Sequence, residues 1–100
     1  MKKIYAIVRS NRFKRDYRRL ERQGFDMSEL DTAIGQLALN GCLPPRYSDH
    51  PLKGEWAGSR ECHIGGPKSD WILIYDKDDS AFILQLLRSG SHSKLKIGEK

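Results

Sequence analysis

Cysteine is scarce in this chain: there are two, Cys42 and Cys62, and they form no Cys-x-x-Cys pair. A disulfide framework and a cysteine-rich zinc module are both disfavoured on that count, and reduced thiols are expected. Also missing is any apolar run near the roughly 20 residues that cross a bilayer, and no apolar stretch of a secretory signal follows the basic first residues. A cytoplasmic protein with no membrane association is therefore expected. Acidic residues are thin in one place only. Residues 1–22 hold nine Lys/Arg against Asp16 and Glu21, whereas the rest of the chain holds nine Lys/Arg against eleven acids. The net charge of +5 is thus local. Such a segment attracts phosphate backbones by counterion release or mates with an acidic protein, and the plain alternative is a solvated helix face.

What is present fits a single domain over residues 1–100, because 38% hydrophobic residues suffice for one core while 31% charged residues cover a solvated surface. "KKIYAIVRS" is rich in β-branched and aromatic residues and reads as a strand, with a Ser-Asn pair suited to cap the helix that follows. That helix is expected over 11–22. Phe13, Tyr17 and Leu20 recur at helical spacing, and Arg12, Arg15, Arg19 and Arg22 form a separate stripe. Gly24 breaks the pattern. Asp26 and Glu29 then suit the start of a second helix carrying Met27, Leu30, Ile34, Leu37 and Ala38, and Asn40-Gly41 stops it. Pro44, Pro45 and Pro51 make 42–58 a long surface loop, and three strands are expected near 59–64, 70–76 and 81–88. The resulting class is α+β, with order β-α-α-β-β-β: two helices packed on one face of a mostly antiparallel, twisted sheet of about four strands.

All three histidines lie in loops or at element ends: His50 in "SDHPL", His63 in "RECHIGG" and His92 in "SGSHSKL". A hairpin between 60–64 and 70–75 would bring His63 and Asp70 to its mouth, and Arg88 and His92 end the last strand nearby. Strand alternation puts Glu61 and His63 on one face and Cys62 on the other. Metal ligation is not expected, because the histidines lack paired helical spacing and Cys62 faces away. Convergent His, Asp and Arg side chains suit acid–base chemistry on a phosphodiester, since imidazole exchanges protons near neutral pH and arginine stabilises phosphate charge. RNA brings its own nucleophile, the 2′-hydroxyl. Trp71, which opens "WILIY", is either core or a platform for a base, and Trp56 is expected to anchor the long loop.

The series "DHPLKGEWAGSRECHI", "DWILIY" and "LLRSGSHSKL" resembles the YafQ-type branch of the RelE/ParE toxin superfamily over roughly the carboxy-terminal half. The resemblance implies a RelE-like fold and the toxin of a type II toxin–antitoxin system: a ribosome-dependent endoribonuclease that cleaves mRNA in the ribosomal A site without a metal or other cofactor. A cognate antitoxin is implied as partner, its acidic segments covering the Arg12, Arg15, Arg19 stripe or the histidine cleft, with the complex binding operator DNA through the antitoxin. Carried over by residue, His50, His63, Asp70 and His92 match catalytic or substrate-contacting positions, Arg88 the phosphate-stabilising arginine, and Trp71 a tryptophan of the same site. Lys96 stands where the family carries an aromatic residue, and a lysine there would contact phosphate. The expected roles are Asp70 or His63 as base, His92 as acid, His50 orienting substrate and Arg88 bracing the phosphorane. The rival expectation is a non-enzymatic relative that poisons gyrase or simply grips RNA.

Overall fold

The computed structural model describes residues 4–95. Strand β1 (Ala6–Arg9) enters helix α1 (Asn11–Arg22) through Ser10, whose Oγ accepts the Phe13 amide at 3.0 Å and satisfies one of the donors a helix start leaves open. Helix α2 (Met27–Asn40) is capped by Asp26, which accepts the Ser28 amide at 3.2 Å. It stops at Gly41 with φ 74°, where a Cβ would lie 3.0 Å from the Tyr5 hydroxyl. Only glycine meets both the backbone and the space. Then come strands β2 (His50–Pro51), β3 (Arg60–His63), β4 (Trp71–Asp78) and β5 (Ile83–Ser91), and a four-residue helix α3 (His92–Leu95).

The strands form one sheet in the order β1-β5-β4-β3-β2, parallel between β1 and β5 and antiparallel elsewhere. The expected class and face arrangement are found, with two differences. The sheet has five strands rather than about four, because "SDHPL" contributes β2, pairing His50 with Glu61 and Pro51 with Arg60. Proline is tolerated there because β2 lies at the sheet edge, where a missing donor breaks no ladder. The strand β4 also runs through "DKD" to Asp78, whose carboxylate takes the Ser80 and Ala81 amides at 2.9 Å and turns the chain there.

Alternation divides the sheet into two faces. On the helix face, Phe13, Leu30 and Leu37 pack with Cys62, Leu73 and Leu86, all essentially buried. Burial pushes the Cys62 thiol up, so it stays protonated within this core. On the other face, Ile72 and Ile74 are covered by Leu95 of α3 and by Leu52 and Trp56 of the loop. Trp56 is therefore an anchor, as its sequence context suggested.

One edge needs a separate solution. Pairing with β1 ends at Leu86, and helix α1 closes the outer edge of β5 beyond it with side chains. Ser10 donates from Oγ to the Leu87 carbonyl at 2.9 Å, and the Asp16 carboxylate accepts the Ser89 amide at 3.1 Å. Asp16, 2% exposed, also accepts from Arg88 (Nε 2.7 Å, Nη2 3.1 Å) and Arg19 (Nη1 2.9 Å). Burial alone would raise this carboxyl. Hydrogen bonds from Arg88, the Ser89 amide and Arg19 outweigh it and hold the group below the usual carboxylate range.

Asp16→Asn is expected to cost about 2 kcal/mol near pH 7, the scale of hydrogen bonds to a charged group. Because the folded-state pKa is depressed, this contribution is present above the unfolded value of about 3.9 and is lost as pH falls through the lower folded value. Urea titrations of both proteins should show the gap near pH 7 and a narrower gap near pH 3; an equal gap at both would contradict the charged network.

Candidate active site

Glu61 is the centre of the histidine cluster, although its side chain is only 2% exposed. It lies on β3 opposite Ile74 on one side and His50 on the other. Its Oε2 is 2.9 Å from His50 Nε2, and both its oxygens meet His92 Nε2, at 3.0 and 2.9 Å. His63 Nε2 stands 3.6 Å from the same Oε2. The rings follow this focus, with His63 5.3 Å from His92 and 6.0 Å from His50 between centroids. Three imidazoles thus surround one buried carboxylate.

Local structure explains each placement. Asp49 accepts from Arg60 Nε at 2.6 Å and from the Tyr75 hydroxyl, which fixes the backbone next to His50. Ser48, which precedes Asp49, lies in the left-handed region, φ 50°, and its carbonyl lies 2.6 Å from His50 Nδ1. His63 is oriented by the Ser69 carbonyl, 2.8 Å from its Nδ1. His92 is set by Asp70, whose backbone carbonyl accepts the His92 amide at 3.1 Å and whose Oδ1 lies 3.7 Å from Nδ1.

These acceptors dictate proton positions. A carbonyl can only accept, so Nδ1 of His50 and of His63 each carry a proton. His63 in its neutral form then turns a lone pair on Nε2 toward the centre. His92 directs Nε2–H at Glu61 when the carboxylate is ionised. Both nitrogens of His50 face acceptors, so either that ring holds two protons or Glu61 shares one with it. The cluster therefore contains a proton acceptor and a proton donor side by side, each with its partner atoms fixed.

Of the residues expected at this site, His50, His63 and His92 converge, and Asp70 stands at the rim with its side chain 64% exposed. Trp71 is not brought there: its indole donates to Ser89 Oγ at 3.0 Å and meets Phe25 edge-on at 5.0 Å, within the helix-face core. Arg88 shares the cross-strand row Glu61, Ile74, Arg88, but its described hydrogen bonds run to Asp16. Arg12, Arg15 and Arg19 join Arg22 and Arg88 around a separate groove of about 440 Å³ over α1. Lys96 lies outside the described residues. Sequence reasoning missed Glu61 and Asp49. For Glu61 a signal existed, since alternation already set it beside His63 on one face; for Asp49 none did, because its partners come from β3 and β4.

The donor set also bears on metal binding. His50, Glu61 and His63 present ligand atoms that all lie within 4.8 Å of one another. Such a nitrogen and oxygen set fits Zn²⁺ or Cu²⁺. The sequence reading, which judged only helical spacing and Cys62, did not anticipate a carboxylate between the rings.

Comparison with known proteins places this geometry. The model of the YafQ family, bacterial toxins of type II toxin-antitoxin systems, matches residues 5–97. The mRNA interferase toxin YafQ of Escherichia coli K12 is 36% identical over 90 residues, covering 89% of this chain and 92% of that protein. A chain of the crystal structure of the E. coli DinJ-YafQ toxin-antitoxin complex superposes with a TM-score of 0.79 at 35% identity, covering 91% of this chain and 96% of its own length. A metal-bound toxin from Helicobacter pylori superposes with a TM-score of 0.81 at 40% identity, covering 92% and 99%. With a family match over nearly the whole chain and relatives well above 30% identity, the protein belongs to the YafQ family of type II toxins.

Proposed function

We propose that the chain is an mRNA interferase, a ribosome-dependent endoribonuclease acting in the cytoplasm on mRNA in the ribosomal A site. The observation that carries this reading is the trio of imidazoles on one buried carboxylate. His63 Nε2 accepts the proton of the 2′-hydroxyl, and the freed oxygen attacks the adjacent phosphorus. The bond from phosphorus to O5′ breaks, and His92, carrying a proton on each nitrogen between Glu61 and Asp70, gives the Nε2 proton to the departing oxygen and is left neutral. The products are a 2′,3′-cyclic phosphate and a new 5′-hydroxyl. Glu61 holds His92 and His50 in place and balances the charge that passes between the rings, Asp70 fixes the His92 backbone, and Arg88 offers charge to the phosphates. His50, the most exposed of the three rings, orients the substrate.

The similarity to a toxin solved with its antitoxin supports a cognate antitoxin for this chain; its acidic segments would cover the Arg12, Arg15, Arg19 stripe or the histidine cleft. A gyrase poison or a simple RNA clamp is the poorer reading. Burying a carboxylate among three imidazoles costs desolvation that a gripping surface has no use for.

His92→Ala and Glu61→Gln are each expected to lower cleavage of ribosome-bound message by about 10² to 10⁴, the usual worth of a placed acid–base group. Primer extension on translated transcripts reads this, and wild-type cutting by His92→Ala would sink the mechanism. Metal removal gives an independent check. With Mg²⁺ kept for the ribosome, a chelator selective for transition metals should leave cleavage at full rate, whereas added Zn²⁺ should slow it by occupying the lone pair of His63, with the chelator restoring the rate. Loss of cleavage in that chelator alone would make a transition metal part of the machinery.

A further inference from the structure

The groove over α1 lies apart from the histidines but not on another face. Arg88 sits in the row that runs from Glu61 through Ile74 across the sheet. With strands about 4.8 Å apart, Arg88 starts about 10 Å from Glu61, and its guanidinium is drawn away from the cluster toward Asp16. Arg19 lies over the same strand: a Cβ on Gly90 would come within 3.2 Å of Arg19 Nη2 and 3.6 Å of Leu95 Cγ. A polymer passing the histidines along this face therefore meets Arg88 and Arg19 beside them.

We propose that Asp16 is a positioning residue that sets Arg88 and Arg19 as a fixed fork for a flanking phosphate of the RNA strand. The proposal deepens the ribonuclease reading and rests on it for the identity of the polymer. Asp16 occupies Nε and Nη2 of Arg88 and Nη1 of Arg19, and the Ser89 amide ties the carboxylate itself to β5. Both guanidiniums are thereby held in plane and orientation, while their side chains keep 23% and 24% exposure toward the groove. A free arginine would have to give up rotamer entropy on binding, and these two have already done so. Arg12, Arg15 and Arg22 line the rest of the groove and add long-range attraction. A nucleic acid strand suits this groove better than an acidic peptide, because the groove adjoins the row that leads to the histidines.

The test exploits a sign. Asp16→Asn removes a negative charge from a basic groove, so attraction alone would tighten RNA binding; loss of the fork loosens it. Fluorescence anisotropy with the full chain and a 2′-O-methyl RNA oligonucleotide, which binds without being cut, should show Asp16→Asn weakened about tenfold, the loss of one charge-assisted hydrogen bond. Arg19→Ala should lower the salt slope by about 0.7, one single-strand phosphate contact. Binding by folded Asp16→Asn that is equal to or tighter than wild type overturns the proposal. Circular dichroism establishes folding, and if Asp16→Asn does not fold, Arg19→Lys decides. It keeps the charge without the fork, so reduced affinity supports the proposal and wild-type affinity overturns it. A polyglutamate peptide whose binding follows Asp16 while RNA binding does not would also overturn it, making the groove a protein's seat. Failure of the parent reading looks different: no RNA cleavage by wild type, with Asp16-dependent RNA binding intact. Full cleavage with no Asp16 dependence fails this proposal alone.

Discussion

A carboxylate taken out of water must collect donors, and this requirement organises the molecule twice. Glu61 and Asp16 are each 2% exposed, and each is ringed by groups from elements far apart in the chain. Around Glu61 the donors are imidazoles from β2 and α3, while His63 of β3 itself stands 3.6 Å away. Around Asp16 they are two guanidiniums and the Ser89 amide. The difference in donor chemistry separates their uses. Imidazoles exchange protons near neutral pH, so Glu61 organises chemistry, whereas guanidiniums never lose theirs, so Asp16 organises fixed charge.

The two carboxylates stand at opposite sides of one framework. Strands β3, β4 and β5 carry the row from Glu61 through Ile74 to Arg88, and the apolar patch of Ile72, Ile74 and Leu95 lies beside it. That patch has a mechanical role. By packing under Leu95 it holds α3 against the sheet, and α3 begins with His92. On the reverse side, Trp71 and Phe25 seal the helix core under the same strands. The strands beneath the active face are therefore packed on both sides.

Much of this was legible along the chain. Ser10 and Asn40-Gly41 bounded the helices because caps are local chemistry, and alternation in "RECHI" separated Cys62 from His63 correctly. The fifth strand was hidden because Pro44, Pro45 and Pro51 look like loop residues until an edge position is known. Trp71, which the residues left between core and a platform for a base, is placed by its strand. Its neighbour Asp70 does reach His92, but one residue along a strand reverses the face, and the indole goes to the core instead. The arginine stripe was visible as spacing, yet nothing local marked Asp16 as its brace.

By itself the sequence determined the two long helices and four of the five strands, the order of the two faces and the presence of three histidines outside any apolar stripe, because these depend on spacings of a few residues. Its motifs also fixed the family. Only the tertiary structure decided that Glu61 joins the histidines, that Asp16 claims Arg88, and that Trp71 turns inward. Each of these rests on contacts between residues 11 to 73 positions apart, such as His50 with Glu61 and Ser89 with Asp16. Such contacts come from strand register and from the need of buried charge for partners, and neither is written in any short stretch of chain.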